Sequence, residues 1–251
     1  MKKPLPFSLM ILSLLSACNT APSVAPTAAW RYSVPEQPEA TSGNTDKPGW
    51  AYQRQAVAAA NPLATDAGHQ ILRAGGSALD AAIAVQLVLG LVEPQSSGIG
   101  GGAFLLHFDG QKVTAHDGRE TAPAGAQSDM FVGDNGKPLT FDDAVLSGHA
   151  VGVPGAMRML EAAHRQHGVL PWGQLFAPAI TLAEQGFKVS PRLHALLQAD
   201  PHLKKDPLAL RFFYNDQGQA WPVGHVLRNP EYAHVLRRIA AGGSRALHEG
   251  P

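Results

Sequence analysis

The stretch AHDGRETAP, residues 115–123, places three charged side chains around a glycine. They are Asp117, Arg119 and Glu120. A guanidinium group is always charged, planar and forked, so it can bind a carboxylate through two parallel hydrogen bonds. The same arginine could instead form an ordinary surface ion pair with Glu120. The local sequence therefore indicates one candidate carboxylate-binding residue, Arg119, and leaves both interpretations open.

Other reactive residues lack a partner at the spacing that catalysis or metal binding needs. His164 and His167 would share one face of a helix, but no Asp or Glu stands at zinc-protease spacing on that face. The adjacent Asp142 and Asp143 are more typical of a helix cap than of an acid pair. The sequence has no G-x-S-x-G motif, and its single cysteine is Cys18. We therefore predict surface histidines, no metal site and no other cofactor, and we identify no catalytic nucleophile.

The segment SSGIGGG, residues 96–102, is rich in glycine and leads into an apolar run. A glycine loop that binds phosphate opens a helix, whereas the following AFLLHF, residues 103–108, is typical of a strand. The glycines therefore indicate a close approach of two backbones. Asp109-Gly110 is a hairpin-turn signal, and KVTAHD is the expected returning strand. This hairpin would place Arg119 just past a strand end, on a firm support.

Helices with recognisable start signals flank the predicted hairpin. Asn61-Pro62, and Ser77 with Asp80, are typical N-terminal caps of two helices. The second helix, residues 78–92, is apolar nearly all round, which is typical of a helix buried between layers. Further helices are predicted over residues 155–168, 172–186 with a break at Pro178, 191–199 and 230–242. This order of elements predicts an α+β fold built in layers.

The first 50 residues do not have the pattern of a folded domain. Residues 1–17 have a basic start and an apolar run that is too short to span a membrane, which is typical of a secretory signal. LSAC, residues 15–18, resembles the bacterial lipobox, so we expect Cys18 to carry a lipid anchor. The anchor would hold the protein at the periplasmic side of the envelope, and Asn19 favours the outer membrane. Residues 18–50 are predicted to be a tether rich in Pro, Ala, Ser and Thr, and residues 51–251 the folded domain.

The composition supports a globular domain and disfavours one class of partner. Apolar residues make up 45% of the 251 residues and charged residues 16%, so most of the chain can fold around a core. The formal net charge is zero and no basic stripe occurs, so we predict no nucleic-acid binding.

Five motifs, GGSALDAA, GIGGG, D-x-RE-x-AP, VGVPG and LAEQGF, follow one another along the chain. This ordered set resembles the beginning of the large subunit of the gamma-glutamyltransferases, also called glutathione hydrolases, from about Ala56 onward. The resemblance implies an N-terminal nucleophile hydrolase-type αββα sandwich, of which this chain would be an incomplete part. It also implies that γ-glutamyl groups are taken from glutathione and related amides and passed to water or an amino acid. Arg119 would then bind the substrate's α-carboxylate, and Gly118, where bulkier residues are common in the family, could loosen its backbone.

In this family the precursor cuts itself, and a threonine that begins the small subunit forms an acyl-enzyme with the γ-glutamyl group. The resemblance does not identify that threonine here, because the contexts of Thr65, Thr114, Thr121, Thr140 and Thr181 are unlike the family's cleavage junction. We therefore expect a large-subunit fragment, from a truncated gene or a genuinely short one, that is inactive alone and pairs with a small subunit of the same precursor. Two alternatives stay open: a lipid-anchored, non-catalytic protein that binds glutamyl or other carboxylate groups, and a cephalosporin-acylase-like enzyme of the same family.

Overall fold

The chain alternates helices with two short antiparallel ladders. The computed structural model describes residues 51–249, so the predicted signal segment, Cys18 and the tether lie outside it. The elements are α1 (Pro62–Arg73), α2 (Ala78–Val92), β1 (Ala103–Phe108), β2 (Val113–Gly118), α3 (Phe141–Val145), α4 (Ala156–His167), α5 (Ala177–Gln185), β3 (Phe187–Lys188), α6 (Pro191–Ala199), α7 (Pro207–Phe213), β4 (Val226–Leu227), α8 (Pro230–Gly242) and α9 (Arg245–His248). The ladders pair β1 with β2 and β3 with β4. The predicted α+β class is confirmed.

The first two helices begin at the capping residues that the sequence indicated. Asn61 accepts a hydrogen bond from the Leu63 N–H at 3.0 Å. Ser77 and Asp80 form a reciprocal capping box, in which the Asp80 N–H donates to Ser77 Oγ at 3.1 Å and the Ser77 N–H donates to Asp80 Oδ2 at 2.8 Å. These contacts satisfy N–H groups that a helix cannot pair internally, which is why local sequence is enough to locate both helix starts.

Helix α2 is the centre of the core. It contacts α1, α4, α5 and the 3₁₀ turn Trp172–Phe176. Its buried apolar side chains cover more than half of its circumference, and most of the other positions are half-buried: the buried ones are Leu79, Ala81, Ile83, Ala84, Leu87, Val88, Leu91 and Val92. The prediction of a helix buried between layers is therefore confirmed. No helix within residues 51–249 combines the length and apolar character needed to cross a membrane.

The hairpin of β1 and β2 turns where Asp109-Gly110 predicted. Ala103 pairs with Gly118 at its open end. The Asp109 carboxylate accepts the N–H groups of Lys112 at 2.8 Å and Gln111 at 2.9 Å. Because these hydrogen bonds favour the charged carboxylate, the pKa of Asp109 lies below its ordinary value. The turn is thus fixed by one side chain, and the register of the hairpin follows from it.

The two faces of this hairpin have different surroundings. The inner face packs on α4. The outer face carries Phe104, Leu106 and Phe108, which are 70%, 73% and 63% exposed. Three large apolar side chains in one row are an unusual surface for an isolated protein. This outer face is the clearest sign of a further layer of structure.

The C-terminal helices depart from the predictions near Pro178, at α7 and at the short α9, which was not predicted. The segment from residue 172 changes from a 3₁₀ turn to α5 at Ala177, so the predicted break lies just before Pro178. Pro178 stands in the first turn of α5, where its missing N–H costs nothing. Helix α7 was not predicted, although Asp206 caps it by accepting the Ala209 N–H at 2.7 Å. The Asp206-Pro207 pair was the signal that could have located it.

Candidate carboxylate-binding site

Arg119 directly follows the last residue of β2, as the hairpin predicted. Its main-chain N–H donates to Asp117 Oδ1 at 2.9 Å. Its guanidinium Nη2 lies 3.3 Å from Glu120 Oε2, and the Arg119 side chain is 58% exposed. The two neighbouring carboxylates therefore act on different parts of the residue: Asp117 holds the backbone, and Glu120 lies beside the fork.

The contact between Arg119 and Glu120 is a weak competitor for a ligand. Ion pairs with an exposed partner contribute only about 0–1 kcal/mol. Glu120 Oε2 is itself buried, and within the described part of the chain it accepts no hydrogen bond. Its attraction to Arg119 is therefore a charge contact without the paired hydrogen bonds of a bidentate carboxylate. A ligand carboxylate that forms two parallel hydrogen bonds with the guanidinium could replace the Glu120 contact.

The last two glycines of GIGGG, the D-x-RE-x-AP segment and the end of VGVPG meet around the arginine. The N–H groups of Gly155 and Ala156 donate to the carbonyl oxygen of Gly101 at 3.2 and 3.1 Å. Thr121 and Val153 form an isolated antiparallel bridge, with N–H to carbonyl distances of 3.2 and 2.8 Å. The close approach of backbones that the glycines indicated is confirmed. Sequence reasoning did not reveal that the approach is made to the segment that carries the arginine.

Gly118 does not loosen the arginine's backbone, so that expectation is wrong. Gly118 is buried and paired with Ala103 in the hairpin. A Cβ atom added to it would lie 2.6 Å from Met159 Cβ on α4. Contacts that short do not occur between packed carbon atoms. The glycine here lets α4 lie close against the end of β2.

The histidines that suggested a metal site point in different directions. His164 Nε2 donates to the Leu170 carbonyl at 2.9 Å and lies 3.6 Å from Asp80 Oδ1. His167 instead stacks on the His107 ring with 4.0 Å between centroids. Neither histidine is a simple surface residue, so that part of the expectation is wrong. Among residues 51–249, no group of three or more His, Cys, Asp or Glu side chains is arranged to hold a metal ion.

The threonines have positions that local structure explains. They lie in α1, in β2, in the bridge to Val153, at the cap of α3 and in α5, in the order Thr65, Thr114, Thr121, Thr140 and Thr181. Thr140, not the aspartate pair, caps α3, and Asp142 and Asp143 occupy its first turn. We therefore assign no nucleophile within residues 51–249.

Comparison with known sequences identifies the relatives of this chain. The profile of the Gamma-glutamyltranspeptidase family matches residues 64–251. The glutathione hydrolase proenzyme of Bacillus subtilis (strain 168) is 39% identical over 196 residues, which are 77% of this chain and 33% of that protein. The chain thus spans about a third of the length of the curated relatives it matches.

Solved structures give the same relationship. The crystal structure of Helicobacter pylori gamma-glutamyltranspeptidase is similar with a TM-score of 0.75 and 30% identity, over 81% of this chain and 58% of that chain. The cephalosporin acylase from Bacillus halodurans is similar with a TM-score of 0.62 and 31% identity, over 82% of this chain and 40% of that chain. The predicted N-terminal nucleophile hydrolase-type fold is thereby confirmed, with this chain covering part of it. The family profile covers most of the chain, so the chain belongs to the gamma-glutamyltranspeptidase family.

Proposed function

We propose that this chain is the carboxylate-binding part of an enzyme that acts on glutathione and related γ-glutamyl amides. The enzyme hydrolyses these amides or transfers their γ-glutamyl group to an amino acid. The observation that carries the proposal is the placement of Arg119, which is mounted on a strand end, more than half exposed and enclosed by the end of GIGGG and the end of VGVPG. The names of the relatives, glutathione hydrolases, support the glutamyl class of substrate.

Arg119 binds the α-carboxylate of the substrate and so fixes the glutamyl group. Holding a substrate in one orientation removes much of the entropic barrier to reaction. The nucleophile is the threonine that begins the small subunit, a polypeptide outside this sequence. Its α-amine takes the hydroxyl proton and the oxygen attacks the γ-carbonyl carbon. The α-amine then gives that proton to the leaving nitrogen as the amide C–N bond breaks, which releases the amine and leaves an ester. Water or an acceptor amino acid then cleaves that ester.

The small subunit of the same precursor is the partner that covers the outer face of the hairpin. The exposed row of Phe104, Leu106 and Phe108 supports this, because a second sheet stacked on it would bury all three side chains. Sheets stack face to face about 10 Å apart through such apolar rows. The chain without this partner would expose the row and tend to aggregate.

The test is an assay of the protein recovered from its own cells with an antibody against residues 51–249. We expect it to release p-nitroaniline from γ-glutamyl-p-nitroanilide and to contain a second polypeptide that begins with threonine. Residues 18–251 expressed alone should give no turnover above background, because the nucleophile is missing. Turnover by this isolated chain would contradict the assignment of the nucleophile to a partner.

Two other functions give different results in the same assay. The similarity to a cephalosporin acylase favours a second candidate, an enzyme that hydrolyses the acyl side chain of a cephalosporin. Recovered protein that cleaves such a cephalosporin but not the γ-glutamyl anilide would establish it. Recovered protein that binds L-glutamate and has no turnover would instead identify a non-catalytic, carboxylate-binding protein.

The location of the enzyme follows from a separate proposal about Cys18. LSAC resembles a lipobox, so we propose that Cys18 is lipidated and anchors the protein at the periplasmic side of the outer membrane. A single acyl chain gives only marginal, reversible membrane binding, so the proposed anchor requires that the cysteine carry more than one chain. Cys18→Ala is expected to move the protein from the membrane fraction to the soluble fraction in an immunoblot of fractionated cells. An equally membrane-bound variant would rule out the anchor.

A further inference from the structure

The main chain at Arg119 is confined on one side by the start of α4. Gly155 is the N-cap residue of this helix. A Cβ atom added to Gly155 would collide with the Gly118 carbonyl oxygen and lie 2.6 Å from the Arg119 carbonyl oxygen. Both obstacles are backbone atoms, so no side-chain rotation can make room. The start of α4 therefore limits how closely the backbone at Arg119 can approach this helix.

The glycine motif that follows α2 confines Glu120, the residue after Arg119, from another side. A Cβ atom added to Gly102 would collide with Glu120 Oε2 and lie 2.8 Å from the Glu120 main-chain nitrogen. The two confining segments are also joined to each other, since the N–H groups of Gly155 and Ala156 donate to the Gly101 carbonyl. Residues 119 and 120 are thus held between two connected pieces of backbone.

We propose that Gly102 and Gly155 are positioning residues for Arg119. They place its main chain so that the guanidinium fork can form two parallel hydrogen bonds with the substrate's α-carboxylate. This inference rests on the proposed function. A binding group must be held to about 0.5 Å to be effective. A methyl group at either glycine would push the arginine's backbone away by a comparable or larger distance.

A matched control lies in the same motif. A Cβ atom added to Gly100 would meet no heavy atom within 4 Å, and the Gly100 backbone is not in the left-handed region. Gly100→Ala therefore makes the same chemical change two residues from Gly102 without touching the segment of the arginine. Comparison of these two alanine variants separates positioning from a general effect of adding a methyl group to a glycine loop.

The experiment compares Gly155→Ala, Gly102→Ala and Gly100→Ala in the complete enzyme, that is, this chain with its small subunit. We expect the first two to raise KM for γ-glutamyl-p-nitroanilide about 10- to 100-fold, the scale of a ~1 Å misplacement, with a much smaller change in kcat. Gly100→Ala should match the unsubstituted enzyme. With a substrate whose α-carboxylate is a methyl ester, all the enzymes should have similar KM values, because the arginine no longer has its ligand.

Several outcomes would overturn the inference. Equal KM values for Gly102→Ala and Gly100→Ala would do so, as would a loss of kcat and of folded protein with KM unchanged. If Gly155→Ala does not fold, Gly102→Ala still decides, because its added methyl group meets a carboxylate that can move aside and one backbone atom, the Glu120 nitrogen at 2.8 Å, that must shift. If the complete enzyme binds L-glutamate in a calorimeter but has no turnover, only the proposed catalysis is refuted. The positioning inference is then tested by comparing the glutamate Kd values of the variants. If neither turnover nor glutamate binding occurs, both proposals are wrong.

Discussion

Arg119→Lys in the complete enzyme is expected to raise KM for γ-glutamyl-p-nitroanilide by about 10- to 100-fold, with kcat changed far less. Lysine keeps the positive charge but loses the planar fork, so one of the two parallel hydrogen bonds to the α-carboxylate is lost. A hydrogen bond to a charged group contributes about 1.5–3 kcal/mol. Because every 1.4 kcal/mol is about tenfold in affinity, this loss corresponds to the expected range.

A second substrate shows whether the effect belongs to the carboxylate. If the α-carboxylate is blocked as a methyl ester, the KM of the unsubstituted enzyme should rise and the effect of Arg119→Lys should nearly vanish. Arg165→Lys is a matched control, since Arg165 is also exposed, at 65%, and also pairs with a nearby glutamate, Glu161, at 3.1 Å. An unchanged KM in Arg119→Lys, or an equal effect on both substrates, would remove Arg119 from the binding site.

Under the proposed function, the position of Glu120 would leave the arginine accessible to a ligand carboxylate. Its carboxylate is confined by Gly102 and lies 3.3 Å from the guanidinium, without forming a paired contact. Such an exposed pair contributes only about 0–1 kcal/mol, so the proposed substrate carboxylate would have little binding energy to overcome in replacing it.

Asp80→Ala is expected to lower the free energy of unfolding by about 3–5 kcal/mol, the largest stability effect that we predict. Asp80 is fully buried. Its Oδ2 accepts N–H groups from Ser77 at 2.8 Å, Val169 at 3.0 Å and Leu170 at 3.1 Å. Each buried N–H left without an acceptor costs about 1–3 kcal/mol. The substitution therefore removes one half of the capping box of α2, leaves the hydrogen bond to Ser77 Oγ in place, and releases the segment that follows α4.

Urea denaturation of the protein measures this loss, and two variants serve as controls. Asp80→Asn keeps an acceptor oxygen and should lose less than Asp80→Ala. Asp142 also stands in the first turn of a helix and also lies 3.6 Å from a histidine, His202, but it is 67% exposed. Asp142→Ala should therefore change the unfolding midpoint only slightly. Similar losses for Asp142→Ala and Asp80→Ala would show that the buried acceptor is not what stabilises α2.

Contacts within a few residues were predictable from the sequence. The caps at Asn61 and at Ser77 with Asp80, the turn at Asp109 and the place of Arg119 after β2 follow from local hydrogen-bonding rules that need no knowledge of the rest of the fold. The missed helix α7 had a similar local signal. The ordered motifs also indicate the family without any knowledge of the tertiary structure.

The tertiary structure alone decided which distant residues meet. The sequence showed a glycine motif near residue 100 and another near 153, but not that both press on the backbone beside Arg119. It showed Asp80 as a helix cap, but not that the same oxygen accepts N–H groups 89 and 90 residues away. Local sequence patterns indicate which segments form helices or strands and which faces of them are apolar. The crossing of α4 over the hairpin is set by packing among side chains and backbones far apart in sequence, which no local pattern records.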